Sequence, residues 1–252
     1  MDAHRDSNRN RILGGVAAAA VIVAIVVGVL ALNDDGSDSV DTAVTTTTEG
    51  VTSTTGETTT TAPATTAPPV VVDPTTIVFP DPGTSRRFDD PTALAQTFAS
   101  DVLGFSEPIV GELAQGDSRS GEVEVRAFAQ GNPTTVLVRQ MGDDAWYVLG
   151  ASVESIRLDA PAAGATLASP EPLTGAAFAF EGTVNVRLFA DGSVEPIAET
   201  FVTGRGDGVL GDFSGELAFE VPSGATDGVL ILSEASAKDG STIAATVIRV
   251  HF

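Results

Sequence analysis

The chain has 252 residues, with 34 acidic side chains against 13 basic ones, and a formal net charge of −21 at pH 7. A surface this acidic repels phosphate backbones, so we exclude nucleic acid as a partner. The sequence contains no cysteine. Its folded part must therefore be held together by hydrophobic cores without disulfides.

The first feature in chain order is the stretch 12–32, which has no charged side chain. As a helix it is about 30 Å long, which matches the hydrocarbon core of a bilayer. Three arginines precede it, whereas only acidic charges follow it as far as Arg86. The positive-inside rule then predicts a cytoplasmic tail at 1–11, a transmembrane helix at 12–32 and the remaining residues outside the cell. A cleaved secretory signal is the alternative, but the stretch is long for one and has no small-residue cleavage site.

Residues 33–84 are rich in threonine and proline. Their hydrophobicity is too low to build a core, so we predict a disordered linker. The same composition is typical of O-glycosylated stalks, and an unmodified flexible tether is the alternative. In either case the linker would hold the following domains away from the membrane.

A small α+β domain is predicted at 85–152. Its helix begins at Pro91, because Asp90 suits the N-cap position and proline suits the first helical position. Apolar residues follow with helical spacing, and Gly104 ends the helix. The apolar face consists of Leu94, Phe98, Val102 and Leu103.

After this helix the hydrophobic period changes to two, which indicates strands. Strands are predicted at 123–127, 135–140 and 145–149, and the last two are joined by a Gly-Asp-Asp turn at 142–144. We expect three or four antiparallel strands packed on the helix. Trp146 is the expected centre of this core.

An all-β sandwich is predicted at 153–252. Alternating apolar segments are separated by Asp-Gly pairs, which are typical of turns. The pairs are Asp191-Gly192, Asp207-Gly208, Asp227-Gly228 and Asp239-Gly240. About seven strands over roughly 100 residues fit an immunoglobulin-like sandwich.

The same segment carries three short sequences in a characteristic order. They are Phe180-Glu181-Gly182-Thr183-Val184, Gly211-Asp212-Phe213 and Lys238-Asp239-Gly240-Ser241. With them, residues 154–252 resemble the immunoglobulin-like domain of bacterial spore germination proteins. The resemblance implies an extracytoplasmic sandwich with no catalytic residues to carry over. The module that accompanies this domain in germination proteins has no counterpart in the preceding residues, which hold the α+β domain instead.

The sequence contains only two histidines that could act in catalysis or bind a metal. His4 lies on the predicted cytoplasmic side, and His251 alternates with Val250 and Phe252, so we expect it to face solvent. A Ser-His-Asp triad would have to rest on this one histidine, and an ordinary zinc site lacks ligands. We therefore expect no catalytic residue, no metal ligand and no cofactor-binding residue.

Two glycine motifs have ordinary explanations. The G-x-G-x-x-G pattern at 206–211 binds a nucleotide only where it opens a helix, and here a strand follows, which predicts a hairpin loop. The adhesion-type tripeptide Arg205-Gly206-Asp207 is explained by chance in a chain rich in glycine and aspartate.

Calcium is the remaining metal hypothesis, because carboxylates suit this ion. The candidate ligands are Asp143, Asp144, Asp159 and Asp191. No D-x-D-x-D-G loop is present, so a solvated acidic surface is the preferred interpretation.

The sequence thus predicts a membrane-anchored protein with a single transmembrane helix, a disordered linker, a small α+β domain and an all-β immunoglobulin-like sandwich. The predicted function is non-enzymatic binding or scaffolding outside the membrane, in the bacterial cell envelope, with cell-wall polymer or an envelope protein as partner. One alternative is a cell-wall-acting enzyme or an accessory subunit of one. A second is a sporulation- or germination-related envelope protein. A signalling input is a third, disfavoured by the short cytoplasmic tail.

Overall fold

The computed structural model describes residues 71–81 and 83–252, which form one α-helix and eleven strands. The helix, α1, is Pro91–Asp101. The strands are β1 Ile109–Asp117, β2 Ser120–Arg126, β3 Thr134–Gln140, β4 Trp146–Val153, β5 Ile156–Ala160, β6 Glu171–Ala177, β7 Thr183–Ala190, β8 Ala198–Thr203, β9 Gly211–Leu217, β10 Asp227–Ala235 and β11 Thr242–His251.

Helix α1 begins and ends where the sequence predicts. The Asp90 carboxylate accepts the backbone N–H of Ala93 at 2.7 Å, which satisfies one of the free donors of the first turn. Past the last turn the chain turns through Gly104, whose φ of +78° is readily adopted by glycine. Leu94 and Phe98 are fully buried, so the predicted apolar face is the packed one.

Strands β1 to β4 form an antiparallel meander, and α1 packs on one of its faces. The segment before the helix also belongs to this core. Val78 donates to the carbonyl of Val148 at 2.8 Å, and Val148 donates to that of Phe79 at 2.7 Å. Packed residues therefore begin at Ile77, ahead of the start at residue 85 that we expected.

The sandwich at the C-terminal end has the predicted seven strands in two sheets. One sheet is β5-β6-β9, and the other is β8-β7-β10-β11. The core between them includes Leu173, Val186, Leu230 and Phe213, and it needs no disulfide. The immunoglobulin-like prediction is confirmed.

The two predicted units are joined by hydrogen-bonded strands. Strand β4 pairs with β11 at Ala151 and Val247, so the sheet runs continuously in the order β1-β2-β3-β4-β11-β10-β7-β8. Ile231 and Ala245 of the sandwich belong to the core beneath α1, whereas their neighbours Leu230 and Ala244 belong to the sandwich core. Strands β10 and β11 are therefore covered on both faces.

Three local predictions need correction. Strand β1 was not predicted, because its alternation is weak and most of its residues are exposed. The alternation of Leu217, Phe219 and Val221 predicts a strand at 217–221, but strand β9 is Gly211–Leu217 and ends where this alternation begins. Trp146 is part of its core but keeps 9% exposure, whereas Phe98 is fully buried.

The pair Asp227-Gly228 is not a turn but the start of β10. A Cβ at Gly228 would lie 2.3 Å from the carbonyl oxygen of Phe189 and 2.7 Å from the ring of Phe252. The position therefore needs glycine for close packing. The turn before β10 contains Gly224, with a φ of +86°.

Within the described residues, no helix has the length and hydrophobicity needed to cross a membrane. The predicted span at 12–32, the tail at 1–11 and most of the linker lie outside the described part of the chain.

Candidate functional site

A groove of about 350 Å³ lies where the helix-bearing unit meets the sandwich. Clefts between structural units are common places for ligand sites, and this volume is at the small end of their usual range. The lining combines residues before α1, the end of α1, the end of β7 with its turn, and β10. We call it the seam groove.

The floor of the seam groove is apolar and its rim is charged. Phe79, Phe189 and Ile231 line the floor. On the rim, the Arg86 guanidinium lies 5.3 Å from the centre of the Phe79 ring and 2.8 Å from the Asp101 carboxylate. Both partners of this ion pair are 46% exposed, so it remains accessible to a ligand.

Next to Asp191 of the groove lining, Arg249 is buried. It has the same strand parity as His251, which we expected to face solvent. It is 4% exposed, and its two terminal nitrogens lie 2.6 and 2.5 Å from the carboxylate oxygens of Asp191. The same guanidinium is 4.0 Å from Asp227. Ala245 and Val247 lie on the same face of β11 as Arg249, and they pack in the core beneath α1. This face of the strand is therefore covered and does not face solvent.

His251 is also tied into this cluster and is not free in solvent as we expected. Its Nδ1 lies 2.6 Å from Oδ1 of Asp227, and its side chain is 26% exposed. The Thr226 hydroxyl donates to the other oxygen of Asp227 at 2.6 Å. Burial by itself would raise the pKa of Asp227, but hydrogen bonds from Thr226 and His251 and the charge of Arg249 outweigh it and lower the pKa.

This arrangement resembles the acid–histidine part of a catalytic triad but lacks the nucleophile. Among residues 71–81 and 83–252, no hydroxyl is hydrogen-bonded to the His251 ring. The histidine backbone instead donates to the carbonyl of Ala165 at 2.9 Å and accepts from Leu167 at 2.9 Å. The cluster joins the end of β11 to its neighbours, which is a structural role.

The four candidate calcium ligands lie in ion pairs with different arginines. Asp143 is bound by Arg87 and by the Tyr147 hydroxyl, and Asp144 is bound by Arg119. Asp159 pairs with Arg157, and Asp191 with Arg249. The described part of the chain has no group of three or more acidic or histidine side chains able to hold a metal ion.

The two glycine motifs lie in one exposed loop between β8 and β9. Arg205 and Asp207 pair with each other, with Nε 2.9 Å from Oδ1, so each charge of the tripeptide is already engaged. The 206–211 motif leads into β9 and opens no helix, as predicted. The geometry is that of a loop between two strands.

The strand order is that of an immunoglobulin-like domain joined to a second unit, and the seam groove lies where the two meet. A comparison with known families bears on the sandwich alone. Residues 155–241 match the Gmad2 family, the immunoglobulin-like domain of bacterial spore germination. The resemblance carried by the three short sequences is confirmed. Comparisons with curated proteins and with solved structures found no match.

Two features of the site were missed from the sequence. Arg249 stands among apolar residues of β11, and this context could have suggested a buried, paired arginine. Its partner Asp191 is distant in sequence, so only the fold identifies the pair. The seam groove had no signal of its own. The small size of the α+β unit suggested that it packs on its neighbour, but no sequence pattern showed which faces meet.

Proposed function

We propose that this protein is a non-catalytic binding or scaffolding component of the bacterial cell envelope, with cell-wall polymer as its first candidate partner. The seam groove is the observation that carries the proposal. It offers an apolar floor and an accessible arginine–carboxylate pair. Three of its ionisable groups are engaged in ion pairs, Arg86 with Asp101 and Asp191 with Arg249, which suits contact better than proton transfer.

The proposal includes the topology predicted from the first 32 residues. In it, the helix at 12–32 anchors the chain, the linker spans the space above the membrane, and the sandwich presents the groove outside the cell. The family match at 155–241 supports this proposal, because the resemblance implies an extracytoplasmic sandwich.

The first test is sedimentation of the protein with isolated cell-wall sacculi at low and high salt. We expect co-pelleting that survives high salt and is reduced in Val194→Asp. Val194 is 90% exposed in the groove lining, so the change should not disturb folding. The matched control is Val209→Asp, which places the same charge at a residue 58% exposed in the loop between β8 and β9.

Equal loss in both valine variants would attribute the effect to added negative charge and count against the groove. Absence of co-pelleting in the unaltered protein would reject the polymer as partner. The search would then move to envelope proteins by crosslinking in cells.

The absence of cysteine allows a direct test of topology. A single cysteine at exposed Ser223 should react with a membrane-impermeant maleimide on intact cells, whereas one at Ser7 should react only after lysis. The labelled Ser223→Cys protein should remain in the membrane fraction. Its release into the medium would indicate a cleaved signal and contradict an anchor.

A sporulation- or germination-related role is the second candidate, and the family match is the observation that favours it. In a spore-forming host, deletion of the gene should reduce spore yield or delay germination. Unchanged yield and timing in the deletion strain would reject this role.

A further inference from the structure

A second, smaller cleft lies at the far end of β10 from the seam groove. Its volume is about 210 Å³, and it is bounded by the loop after β2, the end of β10 and the start of β11. Its lining includes Phe128, Gly131, Asn132, Glu234 and Ile243. Neither the proposed function nor the charged cluster at the other end of the strand uses it.

Glu234 is a buried carboxylate that lacks a cation. It is 8% exposed, and its Oε1 accepts the backbone N–H of Phe180 at 3.0 Å. No lysine, arginine or histidine among the described residues forms an ion pair with it, and none donates to Oε2. Burial raises the pKa of Glu234, and the hydrogen bond from Phe180 offsets only part of that rise.

Arg126 contacts the loop that lines the cleft, but it has other partners. Arg126 donates to the carbonyl of Gly131 at 3.0 Å and pairs with Glu124 at 3.1 Å. Because a buried charge without a partner destabilises the folded state, this glutamate has a cost that packing alone does not explain. A cation supplied from outside the chain would remove that cost.

The cleft also has an aromatic wall. Phe128 is 46% exposed, yet its ring lies against Gly131, where a Cβ would be 3.3 Å from two ring atoms. The ring is therefore supported on one side and open on the other. The ring and the carboxylate of Glu234 line the same cleft, and this combination is favourable for an organic cation.

We propose that this cleft binds a primary alkylammonium group, with Oε2 of Glu234 as the counter-ion and the Phe128 ring packed beside the alkyl chain. An ammonium is preferred to a guanidinium for a geometric reason. Oε1 already accepts the Phe180 N–H, so Oε2 is the oxygen left without a donor. One free oxygen suits the single bond of a compact ammonium better than the two parallel bonds of a guanidinium fork. The inference does not depend on the proposed function.

The test uses the full-length protein in a non-ionic detergent, with n-butylammonium chloride as the probe. The readout is the NMR signal of the Phe180 amide, which donates to Glu234 and so reports on this carboxylate. We expect a saturable shift in the unaltered protein. Affinity should fall about tenfold or more in Glu234→Gln, because a charge-assisted hydrogen bond is lost.

Glu234→Gln keeps an oxygen that can accept the Phe180 N–H, so the variant should stay folded. The matched control is Glu216→Gln, an exposed carboxylate on β9, which should leave the affinity unchanged. Phe128→Ala should weaken binding severalfold. n-Butanol, a neutral probe of similar shape, should give no saturable shift.

Four results would overturn the inference. These are no shift with n-butylammonium, equal affinity in Glu234→Gln and the unaltered protein, an equal response to n-butanol, and tighter binding of n-butylguanidinium than of n-butylammonium. Equal losses in Glu234→Gln and Glu216→Gln would mean that the net charge of the chain attracts the probe without a site.

Discussion

At the scale of single residues, several charges of this acidic chain hold strand ends in place. Arg249 is the clearest case, because its guanidinium is buried and bridges toward two carboxylates on different elements. Asp191 follows β7 and Asp227 begins β10, so the three side chains connect neighbouring strands of the sandwich. Removing the cation would leave the partly buried Asp191 without its ion-pair partner, whereas Asp227 would keep its contacts with Thr226 and His251.

Arg249→Met should therefore destabilise the protein by about 2–3 kcal/mol, less than for a fully buried pair because Asp191 is one-third exposed. Urea unfolding of the unit Pro63–Phe252, which contains both cores, measures the loss. The control is Arg157→Met, whose ion pair with Asp159 is solvent-exposed and should contribute far less. Similar losses in both variants would refute the structural role of burial.

Two carboxyl groups should affect stability with opposite signs as the pH changes. The pKa of Asp227 is lowered in the folded state, so its contribution is present above the unfolded pKa and is lost as pH falls through the folded value. The pKa of Glu234 is raised, so its contribution is complete below the unfolded pKa, near 4.5, and is lost as pH rises through the folded value.

Glu234→Gln should consequently be more stable than the unaltered protein at pH 7, and this advantage should shrink toward pH 4. The measurement is the free energy of unfolding by urea at pH 7 and at pH 4 for the unaltered protein and for Glu234→Gln. Glu216→Gln, at an exposed position of β9, is the control. A stability difference that does not depend on pH would show that the carboxyl charge is not its origin.

At the scale of elements, helix α1 and strands β10 and β11 organise the molecule. The helix covers one core from outside, and its first turn depends on a single carboxylate. Strands β10 and β11 separate the two cores, and their alternate side chains enter opposite ones. A strand that is buried on both faces has a continuous apolar sequence without alternation. Residues 229–232 of β10 form such a sequence.

Asp90→Ala should cost about 1 kcal/mol, because the N–H of Ala93 loses its acceptor. The hydrogen bond from the Thr92 hydroxyl, followed by that from Ala93, lowers the pKa of Asp90, so the loss should shrink as pH falls through this lowered value. Urea unfolding provides the measurement. Asp89→Ala, at the exposed neighbouring position, should have little effect, and equal losses at the two positions would contradict a capping role.

At the scale of the whole molecule, the helix-bearing unit and the sandwich share one sheet. The sandwich surface toward α1 is apolar, and it includes Phe189, Val229, Ile231 and Val247. The helix-bearing unit covers this surface and also forms half of the seam groove. One wall of the groove comes from each unit, and the shared sheet connects the two walls.

A fragment with residues 153–252 alone should therefore be less stable than Pro63–Phe252 and should expose that apolar surface. We expect binding of a hydrophobic dye and a melting temperature lower by about 10 °C or more, since several buried side chains lose their partners. Thermal unfolding of the two fragments compares them directly. Equal melting temperatures without dye binding would mean that the sandwich is an independent domain.

Local sequence was sufficient for features whose causes are local. The start of α1 follows from Asp90 and Pro91, and its end from Gly104, because capping and backbone freedom act within a few residues. Alternation identified most strands of the sandwich, and the three short sequences identified its family. A strand with weak alternation, β1, had no such local cause and was missed.

The tertiary structure alone decided the contacts between distant segments. A sequence pattern cannot show that β11 pairs with β4, that Arg249 meets Asp191, or that Gly228 is needed for packing and not for a turn. Each depends on which surfaces come together after folding, and the free energy of that step comes from burial shared by residues far apart in the chain. The sequence by itself determined the helix, most strands and the immunoglobulin-like class. The shared sheet and both clefts exist only because the two units pack against each other, and the buried pair of Arg249 and Asp191 exists only because distant strands of the sandwich meet.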